Sequence, residues 1–187
     1  MRIELKAAGI PAKEEIVEQA KGAQQVVIAG EEPLEREDII EIINALDNEE
    51  IYIETEGQLL TAMGEELKKA GLTGVRINLE TMYFDRYEKR HNGKSFQNII
   101  DGINKCVDNE LKIRLNVSME KGFSDDELMD YVQLTLQHDY EIVFMPTMPY
   151  EEIKDKIKVR PVAGDFGEVE MFKYVIGRGK IGFIKEA

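Results

Sequence analysis

The sequence predicts an α/β fold built from parallel strands, and three observations point to it. Short runs rich in β-branched and aliphatic residues recur along the chain at spacings of about 25 to 35 residues. Each run is followed by a charged stretch whose apolar residues fall at helical spacing. Beyond residue 149 the rhythm changes to strand-like runs and a glycine turn. Strand, helix, strand repeated six times gives βαβ units wound in one sense, because helices this short cannot stand alone and strands this apolar must be covered. Two closures fit the pattern, a doubly wound open sheet and a curved partial barrel, and periodicity does not choose between them.

The strand runs cover residues 2–6, 25–29, 51–54, 75–79, 111–117 and 141–145. The first helix is predicted over 12–20, behind Pro11. The second spans 36–46, where Ile39, Ile40, Ile42, Ile43 and Leu46 mark one face, and the third spans 58–70, ended by Gly71. Further helices follow at 84–90, 95–107 and 126–137, the last with Ser124 as N-cap and Glu127 three residues on, a capping box. The tail reads as strands at 158–162, 170–176 and 180–184, the last two joined through Gly177-Arg178-Gly179 as an antiparallel hairpin packed across one end or edge of the parallel sheet. One domain is expected over 1–187, with six βα units in 1–149 and a β extension in 150–187.

Composition narrows the function. The 187 residues carry 24 Lys+Arg against 37 Asp+Glu, a formal charge of −13, and are 43% hydrophobic, so a sizeable core can form under an acidic surface. No run of basic residues offers counterions to a phosphate backbone, which argues against nucleic acid. No apolar stretch has the length of a membrane span and no leader precedes the first strand, so a cytoplasmic protein is expected. The one cysteine, Cys106, reads as a small, partly buried hydrophobe and cannot form an internal disulfide. His91 and His138 do not share metal-ligand spacing and read as surface residues. Ser95, Ser118 and Ser124 lack the context of a nucleophile. Gly177-Arg178-Gly179-Lys180 fits a hairpin turn better than a phosphate loop, since P-loop spacing and a following helix are missing, and Met145-Pro146-Thr147-Met148-Pro149 reads as apolar packing at a strand end.

A run of motifs then comes in order. Gly30-Glu31-Glu32-Pro33-Leu34 resembles the GGEPL motif of radical S-adenosylmethionine enzymes, and Glu54-Thr55-Glu56-Gly57 resembles their TTNG. Ala70-Gly71-Leu72 and the strand ending Asn78-Leu79-Glu80 resemble AGL followed by SLD, and Arg114-Leu115-Asn116 resembles KxN. Gly122-Phe123-Ser124-Asp125-Asp126-Glu127 resembles a G-x-N-D-x-E helix start, and Gly179-Lys180-Ile181-Gly182-Phe183-Ile184 is similar to a segment of the GTP cyclases of molybdenum-cofactor biosynthesis. The resemblance implies the partial (βα)6 barrel, TIM-like, with a C-terminal antiparallel hairpin. It also implies a ligand face at the C-terminal strand ends, where Gly30, Glu31, Glu32, Thr55, Glu56, Asn78, Glu80, Arg114 and Asn116 are the candidate binding residues. In the family the position of Glu32 belongs to a motif that receives the amino group of S-adenosylmethionine, and Thr55 and Asn78 stand where side chains approach its ribose or carboxylate. Glu31 replaces a glycine, Glu56 an asparagine and Asn78 a serine.

The family's CxxxCxxC loop after the first strand, which holds a [4Fe–4S] cluster, has no counterpart in residues 7–11, and the chain reaches Ala187 without the second set of cluster cysteines of the cyclase subfamily. No iron–sulfur cluster bound by this chain alone is therefore expected, and no resident cofactor is predicted, with S-adenosylmethionine and a divalent metal left open as ligands. Three readings follow. The first is a cluster-free relative, non-catalytic or regulatory, that keeps a pocket for a nucleotide-like small molecule. The second is an enzyme of another class using strand-end carboxylates as acid and base or around Mg²⁺ or Ca²⁺ held by Glu32, Glu54 and Glu80; against the metal stands the simpler outcome that these glutamates alternate along their strands and meet water, Lys or Arg. The third is a subunit, as a homodimer or with a partner chain that supplies the cysteines, docking at the open barrel edge.

Overall fold

The computed structural model describes residues 2–5, 12–147, 157–164 and 166–184. In chain order the elements are β1 (Arg2–Leu5), α1 (Lys13–Ala20), β2 (Gln25–Gly30), α2 (Ile39–Ala45), β3 (Glu50–Thr55), α3 (Leu60–Lys69), β4 (Gly74–Leu79), α4 (Phe84–Arg90), α5 (Phe96–Asp108), β5 (Lys112–Val117), α6 (Leu128–Gln137), β6 (Glu141–Phe144), β7 (Arg160–Pro161), β8 (Val169–Lys173) and β9 (Lys180–Ile184). Two compact units emerge, the first from residues 1–77 with 94–113, the second from 78–93 with 114–187.

In the first unit β1, β2, β3 and the start of β4 pair side by side, all parallel. β2 buries Val26, Val27, Ile28 and Ala29 in succession, as a parallel strand covered on both faces must. β3 instead alternates: Ile51, Ile53 and Thr55 are buried, while Glu50, Tyr52 and Glu54 take the other, half-buried face. α5 buries Phe96, Ile99, Ile103 and Cys106, one stripe at steps of three and four residues. Its Gly102 permits close approach to α3, because a Cβ there would stand 2.7 Å from the Leu60 Cβ and 3.1 Å from the Gly57 carbonyl oxygen.

In the second unit β5 pairs with β6 and β6 with β9, both parallel, and the chain then turns back through β8 and β7, both antiparallel. The β8–β9 hairpin forms where the sequence predicts it, and it joins the parallel strands through β9. Phe183 stacks on Phe144 at 5.6 Å and meets Phe172 edge-on at 5.7 Å, while Val143, Val169 and Met171 pack as a small core of their own. The turn at Gly177-Arg178-Gly179 is a structural one: the N–H groups of Arg178 and Gly179 donate to the Thr135 carbonyl at 2.9 and 2.8 Å. A Cβ on Gly179 would fall 2.2 Å from the Tyr140 oxygen, so only glycine fits that approach.

Two local expectations are corrected. α2 begins at Ile39 and not at 36, because Pro33–Glu35 forms a 3-10 turn capped by the Glu32 carboxylate, which accepts from the Leu34 N–H at 3.2 Å, and Arg36 is extended. The capping box at Ser124 and Glu127 does not form: Asp125–Glu127 is a 3-10 turn, the Ser124 hydroxyl accepts from the Glu120 N–H at 3.2 Å, and the Glu127 carboxylate turns inward. The predicted residues 7–11, together with Met148 and Pro149, lie outside the described residues.

Candidate functional site

In the first unit the end of β2 and the end of β3 meet through one carboxylate. Gly30 and Glu31 are exposed, and Glu32 turns back beneath them. Both Glu32 oxygens lie 2.8 Å from the Thr55 hydroxyl, and Glu32 accepts further from the N–H of Glu56 at 3.0 Å and of Leu34 at 3.2 Å. Thr55 in turn accepts from the Gly57 N–H at 2.9 Å, so its hydroxyl proton is directed at Glu32. Burial pushes the Glu32 carboxyl above its ordinary value, and the hydrogen bonds from Thr55, Glu56 and Leu34 oppose that rise. The arrangement is a half-buried carboxylate fixed by three donors, which fits acceptance of one more donor from a ligand.

The Glu56 side chain does not join it. Its carboxylate pairs with Lys94, while Gln58 donates to the Ser95 carbonyl at 3.0 Å, so the loop after β3 is tied to the start of α5. Glu54, one residue before Thr55, points to the opposite face of β3 and stands opposite Arg76 in the β3–β4 register. That face is a row of paired polar groups: Glu50 accepts from Lys112 at 2.8 Å and from Gln25 at 2.7 Å, and the Arg76 guanidinium lies 5.3 Å above the Tyr52 ring. Lys112 and Gln25 hold the Glu50 carboxyl below its ordinary value.

The second unit carries a similar row. Asn116 donates to Asn78 at 2.9 Å, and Arg114 binds one oxygen of Glu141 through Nε at 2.9 Å and Nη2 at 2.6 Å, while Lys180 holds the other oxygen at 3.1 Å. Burial pushes the Glu141 carboxyl up, and the charges and hydrogen bonds of Arg114 and Lys180 overcome that and leave it lowered. Glu80 lies 2.9 Å from Arg90 Nε and 3.4 Å from His91 Nε2. His91 is half-buried and stacked on Tyr87 at 4.4 Å, where a surface residue was expected.

Glu32, Glu54 and Glu80, the alternative metal set, are each engaged by other groups. Among the described residues no three His, Cys, Asp or Glu side chains converge to hold an ion. The physical reason lies in side-chain direction and pairing: Thr55 and backbone amides claim Glu32, strand alternation turns Glu54 away from Thr55, and Arg90 claims Glu80.

A further network escaped the sequence reading. Glu127 is fully buried and accepts from the Thr81 hydroxyl at 2.5 Å, the Met82 N–H at 2.6 Å and Arg86 Nη1 at 2.6 Å. Arg86 also grips Asp126 at 2.6 and 2.8 Å. Its sequence signal, a Glu three residues after a Ser, is that of a capping box, and its partners Thr81 and Arg86 lie 46 and 41 residues away. Cys106 is fully buried, and burial alone pushes its thiol up to about 12.

Comparison with known proteins places these features. The model of the radical SAM superfamily matches residues 8–135. The chain is 40% identical over 133 residues to the GTP 3',8-cyclase of Listeria welshimeri, covering 68% of this chain and 40% of the cyclase. It is 31% identical over 215 aligned positions to the GTP 3',8-cyclase of Moorella thermoacetica, covering 95% of this chain and 67% of the relative. The chain belongs to the radical SAM superfamily. Within it, the relatives named above are GTP 3',8-cyclases, and the chain spans about 40% of the length of the Listeria proteins.

The crystal structure of HydG, a maturase of the [FeFe]-hydrogenase, matches with a TM-score of 0.53 at 14% identity, over 72% of this chain and 36% of that one. That likeness shows the fold: α/β, mostly parallel, of the partial TIM-like barrel type, with antiparallel strands at its C-terminal side. A three-thiolate cluster does not fit this donor set. The 187 residues hold one cysteine, it is buried in α5, and the stretch between β1 and α1 has none. No helix among the described residues is long and apolar enough to cross a membrane.

Proposed function

We propose that this chain is a cytoplasmic, non-catalytic or regulatory member of the radical SAM superfamily that binds S-adenosylmethionine or a related nucleotide without a cluster of its own. The carrying observation is the thiol inventory: the one cysteine is buried and its thiol is held protonated, so these residues offer no thiolate at the strand ends. The binding half rests on Glu32, which Thr55 and two backbone N–H groups fix in place beside the exposed Gly30 and Glu31. An ammonium or amino group of the ligand would meet a carboxylate that needs no rearrangement. The cyclase relatives favour a purine nucleotide as the second candidate.

Thermal unfolding of metal-stripped protein with S-adenosylmethionine, GTP, Mg²⁺ and Ca²⁺ added separately tests this. Ligand at about 100 times its Kd adds roughly 2.7 kcal/mol, which in a chain of this size raises the midpoint by about 5 to 10 °C. A rise with S-adenosylmethionine or GTP that Thr55→Val abolishes supports the reading. A rise with a divalent ion alone sends the function to the carboxylate enzyme, and a stoichiometric iron–sulfur cluster formed on anaerobic reconstitution of the chain by itself overturns the cluster-free reading.

A further inference from the structure

The second unit holds an open cleft of about 710 Å³ between the approach to β7 and the end of β8, bordered by residues 157–160 and 172–176. Its composition stands apart from the chain. Although Asp and Glu number 37 of 187 residues, the described residues that line the cleft include no acidic one, and they do include Lys158, Arg160 and Lys173. Several cations elsewhere are matched: Arg86, Arg90, Lys112, Arg114 and Lys180 each hold a carboxylate. Among the described residues no carboxylate forms an ion pair with Lys158, Arg160 or Lys173. Between the charges the walls are apolar, with Phe172 buried and Val175 and Ile176 left 72% and 84% exposed at the lip. Exposed aliphatic residues beside three cations, on a protein of charge −13, form a surface complementary to an anionic, partly apolar partner.

We propose that this cleft docks an acidic peptide segment of a partner protein, with carboxylates set against Lys158, Arg160 and Lys173 and aliphatic side chains against Phe172 and Ile176. An extended segment suits an open trough, whereas a small molecule is bound by burying most of its surface. A membrane is the poorer match. It would bring a broad anionic face against a protein of charge −13, while a peptide touches the cleft alone and, with screening over about 8 Å, meets its local charge.

Fluorescence anisotropy of a labelled synthetic peptide alternating Glu with Leu, titrated with the full chain, tests the proposal. Saturable binding is expected, weakened by added salt. Arg160→Glu and Lys173→Glu should each weaken it about tenfold, Lys173→Gln by less, and Ile176→Ser should also weaken it. The exposed Lys121→Glu, outside the cleft, should leave it unchanged. The matching peptide with Lys in place of Glu should not bind. The proposal fails if the acidic peptide does not bind, if cleft and control variants bind it equally, or if phosphatidylserine vesicles bind the chain while the peptide does not.

Discussion

Replacing Glu127 tests whether a buried carboxylate organises the segment after β4. Thr81 and Glu127 are both fully buried, and three donors converge on Glu127 at 2.5 to 2.6 Å, the range of charge-assisted bonds. Glu127→Leu removes the acceptor and keeps the bulk. It strands the Thr81 hydroxyl and the Met82 N–H away from water, and loss of one member of a buried charged cluster costs about 3 to 5 kcal/mol. Glu127→Gln keeps one acceptor oxygen but turns an NH₂ toward a site already full of donors, an expected loss of about 1 to 3 kcal/mol. At roughly 2 to 4 °C per kcal/mol for a chain this long, the melting midpoint falls by about 6 to 20 °C for Leu and by roughly 2 to 12 °C for Gln. Urea unfolding followed by far-UV circular dichroism gives the energies, and calorimetry gives the midpoints. If Glu127→Leu unfolds within about 0.5 kcal/mol of the parent, the carboxylate is not holding this segment and the reasoning is wrong.

Gly102→Ala is expected to destabilise by about 1 to 3 kcal/mol, read from the urea midpoint, because its new Cβ would sit 2.7 Å from the Leu60 Cβ and force α3 and α5 apart. Glu141 gives a pH signature. Its folded carboxyl is held below the unfolded value by Arg114 and Lys180, so its contribution to stability is present above the unfolded pKa and is lost as pH falls through the folded one. Glu141→Gln should therefore flatten the acid limb of a stability profile measured between pH 2 and 6, and an unchanged limb would show that the Arg114–Glu141–Lys180 cluster adds nothing.

Local pattern carried much of the fold. The β-branched runs and the three-and-four spacing of Phe96, Ile99, Ile103 and Cys106 are short-range signals, set by which face a strand or helix turns inward, and they placed β2, β3 and α5 to within a residue or two. The glycines at 177 and 179 likewise marked a real turn, since Gly179 has no room for a side chain. The motif order identified the superfamily. The direction of each glutamate was only partly legible: period-2 alternation separates Glu54 from Thr55 on β3, but nothing local says that Lys94 reaches Glu56 or that Arg90 reaches Glu80.

What only the tertiary structure decided is which charges meet. Glu127 finds Thr81 across 46 residues, Glu32 finds Thr55 across 23, and Arg114 finds Glu141 across 27, distances over which sequence spacing carries no geometric information. Strand register and loop path set those pairs, and they turned a presumed helix cap into a buried clasp. The sequence by itself determined the donor inventory: one cysteine in 187 residues, whatever the fold does with it. Burial in α5 then decided that this thiol stays protonated, because removing a proton there would leave a charge out of reach of water.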